Sequence, residues 1–280
     1  MIIDAHHHVW QLARSPYAWL QAPMWDAICT DQPYESLIPA LDECGVDATI
    51  MVQADNTAAD CAHMQAVAAV QPRVAGFVGW VPLNDPARAL PELERLSADP
   101  KFVGVRHVLT FEEDDDWIVR PDTLVSIAEL ERRHKALEIT CDRLAHPAHV
   151  PFLAGRFPDL TIVVNHIAKP PIATRGWEPW ASILAAAAAA PRVFSKLSGL
   201  TTPYRPEWSG ADFAPYIEHA LKVFGPQRLL YASNWPVTLV AGSYRRNFDA
   251  LLQNLAGLSD GERAAILGGN AARCYRLPGR

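Results

Sequence analysis

Asp4, His6, His7, His8 and Trp10 crowd the first ten residues of a 280-residue chain. Strand side chains alternate between faces, so His6 and His8 share one face and His7 takes the other. Two imidazoles side by side at a strand end can ligate a metal, share a proton or hold an oxyanion. They are embedded in Ile-Asp-Ala and Val-Trp rather than a Gly/Ser linker, which argues against a tag remnant. Other chemistry-bearing types follow later β-forming runs: Gln53, then Arg106 and His107, then Thr140, Cys141 and Asp142. Asn165, His166 and Lys169, then Lys196 and Ser198, then Ser233, Asn234 and Trp235 complete the series. A purely structural scaffold has no reason to spend imidazole, guanidinium and amide groups at the ends of six runs. His107 reads as structural, and Lys169 and Lys196 read as substrate contacts or as members of salt bridges. Tyr204 and Arg205 read as a second polar contact. His63, His134, His146, His149 and His219 fall on helical stretches and read as solvated or capping.

Positioning these groups together requires a regular frame, and the chain supplies one. Eight β-rich runs, at 2–6, 47–53, 75–81, 103–108, 137–142, 160–166, 193–198 and 229–234, alternate with helical candidates. The helices are expected near 35–44, 57–71, 86–97, 122–134, 146–157, 176–189, 212–224 and 244–255, with one or two more in 259–275. Strands separated by helices pair in parallel through crossovers, and eight such units predict an α/β fold, a single (β/α)8 TIM-type barrel over 1–280. The runs Ala48-Thr-Ile-Met-Val and Thr161-Ile-Val-Val are nearly continuous in apolar residues, as expected of strands buried on both faces. Barrels carry their functional groups at the carboxyl ends of the strands, where the inventory above falls. Gln11 to Pro33 is the longest stretch without a strand or strong helix. With Trp10, Tyr17, Trp19 and Trp25, this long loop after strand one reads as an aromatic-rich lid over the barrel mouth. The acidic run Glu112 to Asp116 reads as a solvated loop.

Composition narrows the partners. A net charge of −6 and the lack of a basic arm make nucleic acid a poor expectation. No apolar run reaches the roughly 18 residues of a membrane span, and nothing resembles a signal peptide. Five scattered cysteines without a CxxC suggest neither a disulfide framework nor a thiolate zinc site, so a reduced cytoplasmic setting is expected. Cys141 reads as buried and inert. Assembly into a homo-oligomer is left open.

The segment Asp4-Ala-His6-His-His8-Val-Trp10 resembles the opening signature of the amidohydrolase superfamily (amidohydrolase 2 type), in its branch of sugar-lactone hydrolases such as those for L-fucono- and L-rhamnono-lactones. The resemblance continues through Gly104-Val-Arg106-His107, Val164-Asn-His166-Ile-Ala-Lys169-Pro170 and Ser195-Lys196-Leu-Ser198-Gly199-Leu. It ends in Ala232-Ser233-Asn234-Trp235-Pro236-Val and Asn270-Ala-Ala-Arg273-Cys-Tyr275. It implies hydrolysis of a cyclic ester, a small-molecule lactone such as an aldonolactone. Several members of that branch work without a required metal. One departure matters: the strand-eight position is commonly an aspartate that helps activate water, and here it is Asn234, a neutral amide that cannot be a general base.

Lactone hydrolysis needs a base for water, an electrophilic clamp on the carbonyl oxygen and contacts to orient the ring. Arg106 with the His6/His8 pair is expected to polarise the carbonyl, His166 to act as base and Asn234 to orient the water. Trp10, Gln53, Asp142, Lys169 and Trp235 are expected to contact the substrate. No cofactor is required in this reading. The alternative is one divalent metal, Zn²⁺ before others, on His6, His8 and His166. Two further readings are a metal-dependent decarboxylase or other hydrolase of the same superfamily and a catalytically impaired protein lacking the strand-eight acid.

Overall fold

The computed structural model describes residues 1–201 and 207–279, and Tyr204 and Arg205 lie outside them. Eight strands run in sequence order around one parallel sheet: β1 Ile3–His7, β2 Ala48–Val52, β3 Val74–Gly79, β4 Phe102–His107, β5 Ala136–Ile139, β6 Ile162–Val164, β7 Val193–Leu197 and β8 Leu229–Tyr231. The expected (β/α)8 barrel is therefore present. Its seam between β1 and β8 closes not by a long ladder but at the carboxyl end. There Asn234 N–H donates to His6 O at 2.8 Å and His8 N–H donates to Trp235 O at 2.7 Å. Asp4, fully buried, reinforces the seam by accepting from Ser233 N–H at 2.8 Å and the Tyr244 hydroxyl at 3.0 Å. Burial raises its carboxyl above the ordinary value, against the pull of these donors.

The strands facing the site are shorter than their β-forming runs. β5, β6 and β8 stop at Ile139, Val164 and Tyr231, because the polar residues that follow enter turns. The run 146–157 is not one helix but two, Ala145–Ala148 and Val150–Arg156, with Pro151 starting the second turn. The helix expected over 176–189 begins only at Trp180, after Pro179. The C-terminal region forms Asp260–Ala264, a π-turn Ala265–Gly269 and Asn270–Cys274.

One apolar cluster fills the barrel, drawing Ala5, Ile50, Val78, Val103, Ala136, Val163, Phe194 and Leu230 from the eight strands. Ala271 and Cys274 from the last helix, and Tyr275 just after it, belong to the same cluster. A larger cluster lies between sheet and helices. Simple alternation from Ile3 and Ala5 would turn His7 inward and His6 outward. The β1–β2 register shifts between Asp4 and His7, a bulge that re-aims the side chains. His6 thereby enters the barrel, and His7 packs outward with its ring 5.6 Å from that of Tyr34. Among the described residues neither nitrogen of His7 has a side-chain partner, and burial lowers it to about 3, so it is a neutral packing group.

Residues 11–33 carry two 3-10 turns, Ala18–Gln21 and Pro23–Ile28. Trp10, Tyr17, Leu20 and Ile28 pack with Ala54 into a third cluster, with Trp19 and Trp25 against it. The acidic loop is solvated as expected, its carboxylates forming surface pairs: Asp114 with Arg120 at 2.7 Å, Asp115 with Arg143 at 2.8 Å and Asp116 with His149 at 3.1 Å. His63 and His146, by contrast, are buried rather than solvated, at 8% and 1% exposure. Among the described residues no helix is long and apolar enough to cross a membrane.

Candidate active site

A cavity of about 250 Å³ opens at the carboxyl ends of the strands. His8, Arg106, Asp142, His166, Lys169 and Asn234 line it, with Trp19 and Trp25 on the side of the long loop. His6 stands directly behind this wall, its Nε2 3.2 Å from His8 Nε2. Three residues expected at the substrate do not reach the cavity. Trp10 is fully buried and donates its indole N–H to Thr30 O at 2.8 Å. Gln53 is spent inside the sheet, donating to Arg106 O at 3.0 Å and Asn56 Oδ1 at 3.1 Å. Trp235 turns its backbone, not its ring, to the site, by accepting from His8 N–H. Trp19 and Trp25 supply the aromatic surface instead.

His166 owes its place to an uncommon backbone. His166, Ile167, Ala168 and Lys169 all have positive φ, at 56°, 41°, 59° and 48°. Each such residue costs roughly 1–2 kcal/mol, so the surroundings must hold the turn. Trp180 donates its indole N–H to Ile167 O at 2.7 Å, and Lys169 N–H closes onto His166 O at 2.8 Å. Gly199, at φ 63°, lies so close that a Cβ there would sit 2.6 Å from His166 Cγ. His166 Nδ1 is 2.8 Å from Ser198 Oγ. Burial, reinforced by Lys169, Arg106 and Lys196, holds this imidazole well below the ordinary value, so it is neutral at physiological pH.

Arg106 donates to Asn165 Oδ1 at 3.3 Å and to Gln53 O, and its NH1 lies 3.4 Å from His6 Nε2. Burial lowers its pKa, but a guanidinium keeps its charge. At the cavity rim Asp142 pairs with Lys169 and accepts the Thr110 hydroxyl at 2.6 Å. Burial pushes the Asp142 carboxyl up, but Lys169 and Thr110 outweigh it and keep the acid ionised. Cys141 is buried and its thiol is pushed up by burial, so it stays protonated.

Beneath the cavity lies a network that sequence reasoning missed. Glu138, on β5, accepts two hydrogen bonds from Lys196 Nζ at 2.6 and 2.7 Å, one from Asn165 Nδ2 at 2.9 Å and one from the Tyr275 hydroxyl. Lys196 spends its third donor on His6 Nδ1, at 3.1 Å. Lys196 is therefore a buried structural cation and not a substrate contact. Burial draws it down to about 8, against the pull of Glu138. A glutamate between Leu137 and Ile139 in an otherwise apolar strand was the signal available. Two cations aim donors at the His6 ring, Lys196 at Nδ1 from 3.1 Å and Arg106 at Nε2 from 3.4 Å; the shorter contact assigns the His6 proton to Nε2, directed at His8 Nε2, and His8 in turn donates from Nδ1 to Val52 O at 2.7 Å. The order of donors thus runs from Lys196 through both imidazoles. Burial holds both rings well below the ordinary imidazole value.

The amidohydrolase profile aligns with residues 3–277 of the chain. This protein is a member of the amidohydrolase family. An L-fucono-1,5-lactonase from Burkholderia ambifaria is 37% identical over 98% of this chain and 95% of that protein. A second protein of that name, from Burkholderia multivorans, is 32% identical over 99% of this chain and 96% of its own. A crystal structure of a B. multivorans amidohydrolase with bound zinc superposes with a TM-score of 0.90 at 30% identity, covering 99% of this chain and 100% of that one. This amidohydrolase gathers its polar groups where the barrel strands end.

Proposed function

We propose that this amidohydrolase opens lactones by hydrolysis, that its substrate is a sugar aldonolactone, and that residues 1–280 work as one barrel domain. One observation carries the reading: Arg106, His166 and Asn234 share the wall of a single cavity, a fixed cation, a neutral imidazole and an amide facing one small space. The relatives named as lactonases support the same chemistry.

In the proposed reaction the lactone carbonyl oxygen takes hydrogen bonds from Arg106. Asn234 holds the water, and His166 removes its proton as the water oxygen bonds to the carbonyl carbon. This needs the tautomer with the proton on Nδ1, donated to Ser198 Oγ, so that Nε2 keeps a lone pair. The tetrahedral oxyanion is held by Arg106, a contribution on the order of 3 kcal/mol for one such donor. Collapse breaks the ring C–O bond, and the departing alkoxide takes the proton back from His166. The product is the open hydroxy acid. His6 and His8 have committed their donors to each other and to Val52, which leaves carbonyl polarisation to Arg106 alone. Asp142, Lys169, Trp19 and Trp25 orient the ring from the rim.

A divalent cation does not fit this donor set as it stands. Lys196 fixes the proton of His6 on the nitrogen that would have to ligate, and Arg106 brings a positive charge to 3.4 Å from the same atom. Asn234 offers a neutral amide where an anionic ligand would be expected. Among the described residues no three His, Cys, Asp or Glu side chains are arranged to hold a metal ion. The zinc of the B. multivorans protein is therefore not carried over, and the proposed reaction uses no metal.

The test is proton release from a panel of γ- and δ-aldonolactones and aliphatic lactones, before and after chelation. Turnover that survives chelation is expected. Loss on chelation with recovery on adding zinc overturns the metal-free step, and carbon dioxide release from aromatic acids with no lactone turnover overturns the reading as a whole.

A further inference from the structure

A second chamber of about 310 Å³ adjoins the reaction cavity. The two share Trp25, Asp142, Lys169, Asn234 and Val237, so they meet along one boundary rather than at separate mouths. Arg106 and His166 line only the first chamber. The far wall of the second is built from Met24, Pro170, Ile172, Leu200, Val240 and Ala241, and among the described residues it adds no charged group. The only charges at the boundary, Asp142 and Lys169, neutralise each other. A chain passing them strips no lone ion of its water.

An aldonolactone ring held at Arg106 does not account for this space. Past the boundary residues Asp142, Lys169 and Asn234, the far wall offers a hydroxylated arm one polar side chain among the described residues, Thr201, so such an arm would give up more bonds to water than it finds there, whereas an apolar arm gains from every methylene buried. We infer that the second chamber is a subsite for an alkyl arm carried by the lactone ring. The carbonyl lies against Arg106 and His166, the ring lies at the Asp142–Lys169 pair, and the arm runs toward Ile172 and Leu200. This inference rests on the lactonase reading and adds alkyl-armed lactones to the aldonolactones as substrates.

The test compares δ-valerolactone, δ-octalactone and δ-decalactone, which share a ring and differ in the arm. Each buried methylene favours binding by up to about fourfold, so kcat/KM is expected to rise by at least about tenfold along the series. Ala173 is exposed on the wall of the second chamber, so a large side chain there need not disturb the core. Ala173→Trp should lower the ratio of kcat/KM for δ-decalactone over δ-valerolactone by about tenfold, and Ala173→Ser should not. A flat series with measurable δ-valerolactone turnover, or a ratio unmoved by Ala173→Trp, overturns the subsite while leaving the lactonase reading intact. Absence of turnover on every lactone, aldonolactones included, overturns that reading and the subsite with it.

Discussion

Lys196 Nζ lies 3.1 Å from His6 Nδ1, and the opposite nitrogen of the same ring lies 3.2 Å from His8 Nε2. A buried ammonium thus sets which nitrogen of His6, and through it of His8, carries the proton. It is itself balanced by Glu138 in a fully buried ion pair. Removing one member of such a pair leaves the other charge stranded, at a cost of about 3–5 kcal/mol. Lys196→Met should lose stability of that order in denaturant titration, and adding Glu138→Gln should recover most of it. The double variant also releases His6 to place its proton on Nδ1, so its affinity for Zn²⁺, measured by chelator competition, should exceed the parent's. Unchanged zinc affinity would count against the tautomer assignment.

His166 is held neutral by burial and by three neighbouring cations, and the proposed base must be neutral to act. Its depressed pKa means that the active form persists as pH falls through the ordinary imidazole range and is lost only well below it. The acid limb of kcat/KM should therefore lie clearly below about pH 6.5. His166→Asn should lower kcat by at least about a hundredfold, the usual minimum for a general base. An acid limb at the ordinary imidazole value, or turnover unaffected by the substitution, would remove His166 from that role.

Gly199 has φ 63° and leaves no room for a Cβ against the His166 ring. Gly199→Ala should cost roughly 1–2 kcal/mol for the left-handed backbone alone. It should also displace the imidazole, and misplacement by about 1 Å can cost about a hundredfold in rate. Thermal unfolding and kcat measured on the same sample separate the two effects. A destabilised enzyme with full kcat would show that Gly199 serves the turn and not the base.

Asp60 anchors the aromatic segment, accepting the Tyr17 hydroxyl at 2.7 Å and Ala54 N–H at 2.9 Å. Burial outweighs these donors and raises its carboxyl to about 6, against an ordinary 3.8. The folded state thus binds a proton more tightly than the unfolded chain. Its contribution is complete below about pH 4 and is lost as pH rises through about 6. Two pKa units correspond to up to about 3 kcal/mol. Asp60→Asn carries no charge to desolvate, so its Tm relative to the parent should improve between about pH 4 and about pH 7. A Tm difference independent of pH would contradict the burial argument.

The alternation of apolar runs and helical patterns determined the barrel from sequence, because parallel strands buried on both faces must be apolar and need helical crossovers to pair. The same pattern located Arg106, Asp142, His166, Lys169 and Asn234 near the carboxyl ends, since polar groups following an apolar strand have nowhere else to go. Sequence could not tell which of them face the cavity. Trp10 and Gln53 stand in equally suggestive positions yet are consumed by the Thr30 carbonyl and by the Asn56 side chain and Arg106 carbonyl. Facing depends on bulges and left-handed turns: a register shift on β1 brings His6 inward, and four positive φ values carry His166 into the wall. The partners that set the charge of the site come from residues far apart in the chain, Glu138, Lys196 and Tyr275, and meet only when the barrel closes. Local periodicity is a property of neighbours along the chain. The tautomers of His6 and His8 depend on neighbours in space, and only the closed barrel decides them.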